Sequence, residues 1–338
     1  MINIGVIGCG HWGPNHIRIF TQLNDSHVPI CSDLDKGRLD SIKGMYPQVE
    51  VTKDFNVILK DSTIDAVCIS TPTNTHYELA KKALENDKHV LCEKPLAMSE
   101  GECLELKALA EQKGKILMVG HVFLFNSGIV WLRDFLKSGE LGRIFYAYSI
   151  RTNLGPFRYD VNALWDLAPH DISILNFLFG QPPGNVSARG QKYLNDSQED
   201  LAFATYEYHD NIIANVHVSW LDPKKVRQLT IVGDKKMLVW DDLDNLGPIK
   251  LYDKHVEKTS TYYSTYGEFQ LLSKEGSITI PKIGFSEPLK GQGEYFIDCV
   301  KNNKAPDMVD ARKAADVVKT LQATQDSMAQ QGHLVKIL

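Results

Sequence analysis

The chain has 338 residues, with 37 basic and 42 acidic side chains and a net charge of −5. This length favours two domains over one, each with a core of its own. Because the charges are spread without long runs of one sign, the sequence lacks the charged surface typical of proteins that bind nucleic acid or anionic membranes.

The cysteines and the first residues bear on the compartment. The six cysteines form no Cys-x-x-Cys pair, and four lie at or near the ends of apolar, strand-like runs. They predict small buried side chains and a reducing environment. The chain leads from Met1 directly into a strand pattern, and no apolar stretch approaches the ~20 residues of a membrane helix. We therefore expect a soluble, cytoplasmic protein.

Strands alternate with helices over the first 120 residues or so. The predicted strands are 2–7, 28–31, 64–70, 89–92 and 115–120; helices are predicted after Gly13, where Ile17, Phe20 and Leu23 have helical spacing, and over 78–86 and 99–112. This alternation predicts a doubly wound parallel sheet, an α/β domain over residues 1–121.

The pattern changes after residue 121. Strands now follow one another with few helices between them, and turns such as 209–211 favour an antiparallel sheet. The predicted strands are 144–150, 186–193, 202–208, 212–220, 227–232 and 237–240, and the predicted helices are 128–137, 169–179, 291–301 and 311–328. We expect an α+β domain over residues 122–338.

The segment 8–13, Gly-Cys-Gly-His-Trp-Gly, follows the first strand and opens the first helix. In a dinucleotide-binding turn, Gly8 allows the tight turn, Gly10 lets the backbone approach a pyrophosphate and Gly13 lets the helix pack on the strand. Asp33 lies twenty residues beyond Gly13, where a carboxylate would accept hydrogen bonds from a ribose. The alternative is an ordinary strand-to-helix turn with a surface aspartate.

Asp33 also bears on the choice between NAD and NADP. It is followed by Leu34, with no arginine or serine immediately after it, and its charge would repel a 2′-phosphate. NAD is therefore preferred and NADP less favoured. Arg38 is close enough in the sequence to weaken that preference. The polar residues of 70–76, which end the third strand, either line the cofactor or cap the next helix through Asn74 or Thr75.

Glu93-Lys94-Pro95 closes the strand 89–92 and places a lysine at a strand end. A partly desolvated ammonium beside a substrate oxygen can stabilise negative charge or relay a proton during hydride transfer. A solvated turn lysine is the alternative.

The segment 165–171 supplies a second candidate. Pro169 fits the first turn of a helix, which would place His170 at the helix start and Asp166 in the preceding turn. A histidine with a carboxylate partner is a suitable general base; a capping aspartate with a core histidine is the alternative. The remaining histidines show no ligand spacing with cysteines or acidic residues, so we expect no metal.

Several motifs together carry a resemblance that spans nearly the whole chain: the turn 8–13, Thr71-Pro72-x-x-Thr75-His76, Glu93-Lys94-Pro95-Leu96, the turn 138–142 and Asp166-x-x-x-His170. With them the chain resembles the glucose-fructose oxidoreductase/inositol dehydrogenase/MocA family. The resemblance implies a Rossmann domain followed by an open-faced antiparallel sheet. It also implies Lys94 and His170 as the catalytic pair with Asp166 assisting, and a dimer or tetramer packed through the sheets.

Within that family, residues 10–15, 153–155, 158–165 and 220–227 resemble a branch encoded with bacterial surface-polysaccharide genes. That branch includes UDP-N-acetylglucosamine 3-dehydrogenases, whose 3-keto product an aminotransferase converts to a 3-amino sugar. The chain departs from the general family pattern at His121, where a tyrosine is common, and at Ala168 and Ser173, where glycine and aspartate are often found.

The function predicted from these residues is oxidation of a sugar hydroxyl, with C3 of UDP-N-acetylglucosamine as the favoured target. An inositol or free-sugar dehydrogenase, a keto-sugar reductase and a catalytically silent NAD-binding sensor or scaffold stay open as alternatives. The predicted catalytic residues are Lys94, His170 and Asp166. The predicted cofactor residues are Gly8, Gly10, His11, Trp12, Gly13, Asp33, Arg38, Ser70, Thr71, Pro72, Asn74, His76, Glu93 and Lys94. The predicted substrate residues are His121, Asn153, Arg158, Asn162 and Trp165, and Arg158, Lys225 and Arg227 are candidates to meet a diphosphate or to stay solvated.

Overall fold

The computed structural model describes residues 1–194, 196–256 and 273–337. They form two compact units: residues 1–126 with 286–319, and the described part of 127–285 with that of 320–338. The segment 286–319 joins the first unit although it lies late in the sequence. The amide of Val119 donates to the carbonyl of Val309, and Met118 and Asp310 form an isolated antiparallel bridge. The division of the chain into domains 1–121 and 122–338 stays a prediction.

The first unit is built on a six-stranded parallel sheet. Its strands are β1 (Ile2–Ile7), β2 (Ser26–Ser32), β3 (Glu50–Thr52), β4 (Ala66–Ile69), β5 (His89–Glu93) and β6 (Leu117–Gly120), in the order β3-β2-β1-β4-β5-β6. Its N-terminal helices are α1 (Gly13–Gln22), α2 (Lys36–Met45), α3 (Phe55–Lys60), α4 (His76–Glu85) and α5 (Glu100–Lys113). All of β4 is buried, as a central parallel strand covered on both faces should be. The predicted doubly wound sheet is confirmed.

The second unit holds a nine-stranded mixed sheet within the described residues. Its strands are β7 (Ile144–Leu154), β8 (Asn185–Gln191), β9 (Leu201–Glu207), β10 (Ile213–Ser219), β11 (Leu221–Gly233), β12 (Met237–Asp241), β13 (Ile249–Val256), β14 (Ser273–Thr279) and β15 (Val335–Lys336). They run in the order β14-β13-β12-β11-β7-β10-β9-β8-β15, and β7 with β10 is the parallel pair among them. The mainly antiparallel sheet is confirmed, and the predicted turn 209–211 joins the antiparallel strands β9 and β10.

The helices of the rest of the chain are α6 (Ser127–Ser138), α7 (Ala163–Phe179), α8 (Pro288–Lys301) and α9 (Ala311–Ala329). In the second unit, α7 packs against β7, β9 and β10. Tyr206 and Val216 are buried on the sheet, whereas Phe203 and Ile213 are about half exposed. The alternation gives the sheet one covered face and one open face.

The start of α7 differs from the sequence-based prediction. The prediction placed Pro169 in the first turn, but the helix begins six residues earlier, at Ala163, and Pro169 lies inside it. The side chain of Asn162 accepts from the amide of Trp165 and caps the earlier start. The helix continues through Pro169 because the fixed φ of proline is compatible with a helix, although one internal hydrogen bond is lost. His170 therefore lies in the body of α7, not at its start.

Candidate nucleotide and catalytic sites

The turn between β1 and α1 has three glycines in different situations. Gly8 has φ +95°, and a Cβ on it would lie 2.7 Å from the carbonyl oxygen of Ser70. A Cβ on Gly13 would lie 2.1 Å from the carbonyl oxygen of Gly8. A Cβ on Gly10 meets nothing closer than Arg38 Nη1, at 3.6 Å. Packing within the protein therefore requires glycine at 8 and 13, whereas the glycine at 10 leaves space at the surface of the turn.

The N-terminus of α1 presents its first amides without a side-chain cap. Trp12 is the N-cap residue and makes no capping hydrogen bond through its side chain within the described chain, and the first turn contains no acidic residue. Pro14 has no amide to satisfy. His11 is exposed, and its ring meets that of Trp12 edge-on at 5.3 Å between centroids. Uncapped amides and the helix dipole suit an anion such as a pyrophosphate.

Asp33 is fixed at the end of β2 by two backbone amides. Its Oδ2 accepts from the amide of Cys9 at 2.7 Å, and its Oδ1 accepts from that of Asp35 at 2.8 Å. Arg38 Nη1 lies 3.6 Å from Oδ2, and the arginine side chain is 55% exposed. The structure thus brings Asp33 and Arg38 together, so a cofactor ribose at this edge would meet a carboxylate whose charge a guanidinium partly offsets.

The loop after β4 is tied to both of its neighbours. The Ser70 hydroxyl donates to the carbonyl of Gly8 at 2.8 Å. His76 is buried, and its Nδ1 and Nε2 lie 2.7 Å from the carbonyl oxygen of Pro95 and 3.0 Å from that of Thr71. Thr75 is the N-cap residue of α4, but its hydroxyl donates to the carbonyl of Pro72 and makes no cap within the described chain. The loop, which also contains the exposed Asn74, is therefore held beside the glycine turn.

Glu93 ends β5 as half of a buried ion pair that the sequence did not reveal. Its Oε1 lies 2.8 Å from His16 Nε2, and its Oε2 accepts from the amide of Lys94 at 3.3 Å. Burial opposes the charged forms of both partners. Nevertheless, the contact with His16 and the charge of Lys94 lower the pKa of Glu93, and Cys68 and Glu93 raise the pKa of His16 to about 10. The burial of His16 could have been inferred from its position on the apolar face of α1, four residues before Phe20.

Lys94 and His121 follow neighbouring strand ends. Glu93 of β5 pairs with Gly120 of β6, so the next residue on each strand lies at the carboxyl edge of the sheet. Lys94 is 8% exposed and His121 is 2% exposed. Burial first, and the charge of Lys94 second, lower the pKa of His121 to about 4 against the opposing effect of Glu93. A buried lysine and a neutral histidine thus share the edge where ligands of open α/β sheets bind.

In the second unit, Asn162 has its polar atoms engaged within the protein. Besides accepting from the amide of Trp165, it donates to Glu199 Oε2 at 2.6 Å and to Gln325 Oε1 at 2.8 Å. Trp165 is buried, 7% exposed. The structure therefore gives Asn162 a capping role in α7, while its predicted contact with a substrate stays a prediction.

Asp166 and His170 are four residues apart on α7, a spacing that puts them on one face of the helix. Asp166 Oδ1 accepts from Arg158 Nη1 at 3.2 Å, and its Oδ2 accepts from Trp220 Nε1 at 3.1 Å. Burial opposes ionisation of Arg158, but Asp160 and Asp166 raise its pKa. The carboxylate proposed to assist His170 is thus held by side chains outside the helix. Nearby in sequence, Asn153 Nδ2 donates to the carbonyl of Gly155.

A buried network, which no sequence pattern indicated, anchors the residue after His170. Arg151 Nε donates to Asp171 Oδ2 at 2.6 Å, and the Ser149 hydroxyl donates to Asp171 Oδ1 at 2.6 Å. Arg151 and Asp171 are each 2% exposed. This network binds α7 to β7 at the turn that carries His170.

The structure thus groups the predicted site residues by unit. The first unit contains Gly8, Gly10, His11, Trp12, Gly13, Asp33, Arg38, Ser70, Thr71, Pro72, Asn74, His76, Glu93, Lys94 and His121, and the second contains Asn153, Arg158, Asn162, Trp165, Asp166 and His170. Within the residues described, no group of three or more His, Cys, Asp or Glu side chains is placed to hold a metal ion. No described helix is both long enough and apolar enough to span a membrane.

Two family models match the sequence. One, the oxidoreductase family with an NAD-binding Rossmann fold, matches residues 2–121, and the other, the GFO/IDH/MocA C-terminal domain, matches residues 129–239. Together they cover more than half of the chain. The protein belongs to the GFO/IDH/MocA oxidoreductase family.

Three relatives and solved structures illustrate the likeness. Inositol 2-dehydrogenase 2 of Saccharopolyspora erythraea is 30% identical over 64% of this chain and 66% of its own length, so the chain matches slightly less than two thirds of that relative. The scyllo-inositol 2-dehydrogenase (NAD(+)) of Bacillus subtilis is 26% identical over 91% of this chain and 89% of its own length. The solved structure of the UDP-N-acetylglucosamine 3-dehydrogenase GnnA from Acidithiobacillus ferrooxidans superposes with a TM-score of 0.81 at 21% identity, covering 97% of this chain and 98% of that one. This last likeness concerns the fold.

Proposed function

We propose that the protein is an NAD-dependent dehydrogenase that oxidises a ring hydroxyl of a sugar to a ketone, with C3 of UDP-N-acetylglucosamine as the favoured target. The observation that carries the proposal is Lys94, a lysine 8% exposed at the carboxyl end of β5, in a unit whose β1–α1 turn has the form of a dinucleotide site. A buried lysine is uncommon, and buried ionisable groups in clefts cluster at functional sites.

The first unit fits NAD. Gly10 leaves its backbone open to a pyrophosphate, the uncapped amides of α1 would hold the same anion, and Asp33 would accept from a ribose. When bound, NAD supplies the acceptor for the hydride of the carbinol carbon. NADP is the less favoured cofactor because the charge of Asp33 would repel its 2′-phosphate. The nearby guanidinium of Arg38 reduces this preference for NAD over NADP.

The protein's own groups handle the proton and the charge on oxygen. We assign His170 as the general base that removes the hydroxyl proton, with Asp166 on the same face of α7 assisting it. We assign Lys94 to stabilise the negative charge that develops on the oxygen as the proton leaves. Glu93 stands behind Lys94 and keeps a compensating charge beside it.

The choice of sugar has two candidates. The segments 153–155, 158–165 and 220–227 support a nucleotide-linked N-acetylhexosamine, for which Arg158, Lys225 and Arg227 are the cations that could meet a diphosphate. Two relatives named as inositol dehydrogenases, one of them 30% identical, support a free polyol as the second candidate. Either substrate could also be formed by the reverse reaction, reduction of a keto sugar. We further propose a homo-oligomer, a dimer or tetramer, as the assembly.

The test is a direct assay for NADH. We expect purified protein with NAD to form NADH with UDP-N-acetylglucosamine, and less or none with UDP-N-acetylglucosaminuronate or inositol. Lys94→Ala and His170→Ala should each lower turnover by about 100-fold or more, because each removes a group that acts on the transferred proton or the charged oxygen. NAD affinity of His170→Ala should stay near that of the wild type.

The outcomes separate the candidates. NADH formed with inositol alone would move the substrate to the free polyols and keep the chemistry. A flat trace with every sugar, together with measurable NAD binding, would favour a silent NAD-binding sensor or scaffold instead. Full turnover in both alanine variants would reject the assignment of Lys94 and His170.

A further inference from the structure

His121 is a buried histidine whose two ring nitrogens make no hydrogen bond to any residue that the structure describes. The side chain is 2% exposed, so bulk water does not replace those bonds. Buried polar atoms of native proteins are nearly always paired, because leaving a donor or acceptor unmade costs free energy. An apolar side chain would fill this position without that cost, so the imidazole calls for an explanation other than packing.

The position of His121 indicates where its partner comes from. His121 follows Gly120, which pairs with Glu93, and a Cβ on Gly120 would lie 3.1 Å from the Glu93 carboxylate. Lys94 follows Glu93 in the same way and acts electrostatically on the imidazole. His121 and Lys94 are therefore the first residues beyond two paired strand ends, at the carboxyl edge of the sheet where ligands of this kind of fold bind.

The charge state of His121 limits what it can bind. With a pKa of about 4, the ring is neutral at physiological pH, so one nitrogen donates and the other accepts. A carboxylate or phosphate ligand would gain more from a cationic partner, and an ammonium ligand would meet the repulsion of Lys94. A hydroxyl group both donates and accepts, so it can bond either nitrogen of the neutral ring.

We propose that His121 is a specificity-determining residue that hydrogen-bonds a substrate hydroxyl next to the one being oxidised, and so selects polyhydroxylated rings over simple alcohols. This inference rests on the proposed function and extends it by assigning the substrate class to one side chain. Sites built to bond a hydroxyl reject analogues that lack it, since the buried polar group is then left unpaired.

The test compares His121→Phe, which keeps a planar ring, with His121→Gln, which keeps a donor and an acceptor. With the sugar that the wild type oxidises, His121→Phe should lower kcat/KM by about 100-fold, whereas His121→Gln should stay within about tenfold. The dissociation constant of NAD should change less than about twofold in both. Without ligands, the melting temperature of His121→Phe should equal or exceed that of the wild type, because an unpaired buried group has been removed.

His89 supplies the matched control. It lies at the amino end of β5, its pKa is also lowered to about 4 by burial, and its Nδ1 accepts from the amide of Ile116. An asparagine can accept the same hydrogen bond, so His89→Asn should leave kcat/KM for the sugar unchanged.

Several outcomes would overturn the inference. Wild-type kcat/KM in His121→Phe would remove the role altogether. An equal loss of NAD affinity would show that the ring binds the cofactor. If His121→Phe had a lowered melting temperature and His121→Gln lost as much kcat/KM as His121→Phe, the ring would have a packing role. Absence of binding and turnover of every sugar by the wild type would instead remove the proposed function, and this inference with it.

Discussion

His16 and Glu93 show how single residues set the electrostatics beneath Lys94. Both side chains are buried, and their 2.8 Å contact places a cation and an anion under the carboxyl edge of the sheet. Breaking one half of such a pair is costly because the other charge stays buried without compensation. The pair therefore couples the stability of the first unit to the protonation of His16.

We expect His16→Asn to lower the free energy of unfolding by about 3 kcal/mol near pH 6. The pKa of His16 is about 10 in the folded protein, against an ordinary value of 6.5 for histidine, so at a pH between these values the folded state binds a proton that the unfolded state does not. Stability from His16 is then complete below about pH 6.5 and is lost as the pH rises towards 10. Urea unfolding of wild type and variant from pH 6 to 10 measures this, and the difference should shrink as the pH rises.

His27, an exposed histidine on β2, is the matched control, and His27→Asn should change stability little at any of these pH values. A constant difference between wild type and His16→Asn across the range would show that the pair does not hold the proton as inferred.

At the scale of elements, the β1–α1 turn separates what the fold needs from what a ligand needs. A Cβ on Gly13 collides with the backbone of Gly8, whereas one on Gly10 meets no atom within 3.5 Å in the described chain. Glycine at both positions is therefore explained by two causes. Gly13 serves the packing of α1 on β1, and Gly10 serves the approach of a ligand.

We predict that Gly10→Ala leaves thermal stability within about 0.5 kcal/mol of wild type, because the methyl group has space, but weakens NAD binding at least tenfold. Gly13→Ala should lower both stability and NAD affinity, because the helix must move. Calorimetric titration with NAD and thermal unfolding of the two variants give the comparison. Unchanged NAD affinity in Gly10→Ala would place the pyrophosphate elsewhere.

Sequence patterns located most elements but misplaced some ends, for physical reasons that particular elements show. Apolar runs and glycine turns identified the strands of the parallel sheet, since these are buried on both faces. The start of α7 was misplaced because Pro169 suggested a first turn. The actual cap, Asn162, is held by Glu199 and Gln325, which are distant in the sequence, so no local pattern indicated it. β11 begins at Leu221, before the predicted 227, where its pairing with β7 shifts register and period-2 reasoning fails.

Over the whole molecule, the sequence indicated the residues that carry recognisable chemistry but not the partners that hold them. Lys94 and the glycine turn can be recognised because a lysine at a strand end and the motif Gly-x-Gly-x-x-Gly are each defined by a few consecutive residues. His16 bonds Glu93 across 77 residues, and Asp166 bonds Trp220 across 54. Such contacts depend on which strands and helices become neighbours, and no local pattern encodes that.

All six cysteines, free and buried, belong to the first unit, so thiol chemistry reports on that unit alone. Cys9, in the glycine turn, is 3% exposed, and the others are 0% exposed. Burial raises the pKa of Cys92 and raises that of Cys103 to about 12, which leaves little reactive thiolate at these two positions. A hydrogen bond with Cys9 lowers the pKa of Cys31, but that side chain is 0% exposed. A thiol reagent should therefore modify the native protein only as the first unit opens.

We predict that six thiols react in denaturant and that the native protein is modified slowly and cooperatively. The absorbance of the chromophore that the thiol reagent releases measures the rate. NAD binds the folded first unit in our proposal, so NAD at 100 times its dissociation constant should slow modification about 100-fold when opening is fast and reversible. Cys9→Ser is the control for the one thiol in the turn, and it should leave the NAD effect on the other five unchanged. Rapid reaction of a single thiol in the native protein, absent from Cys9→Ser, would show instead that the turn opens locally, and NAD should then protect that thiol alone.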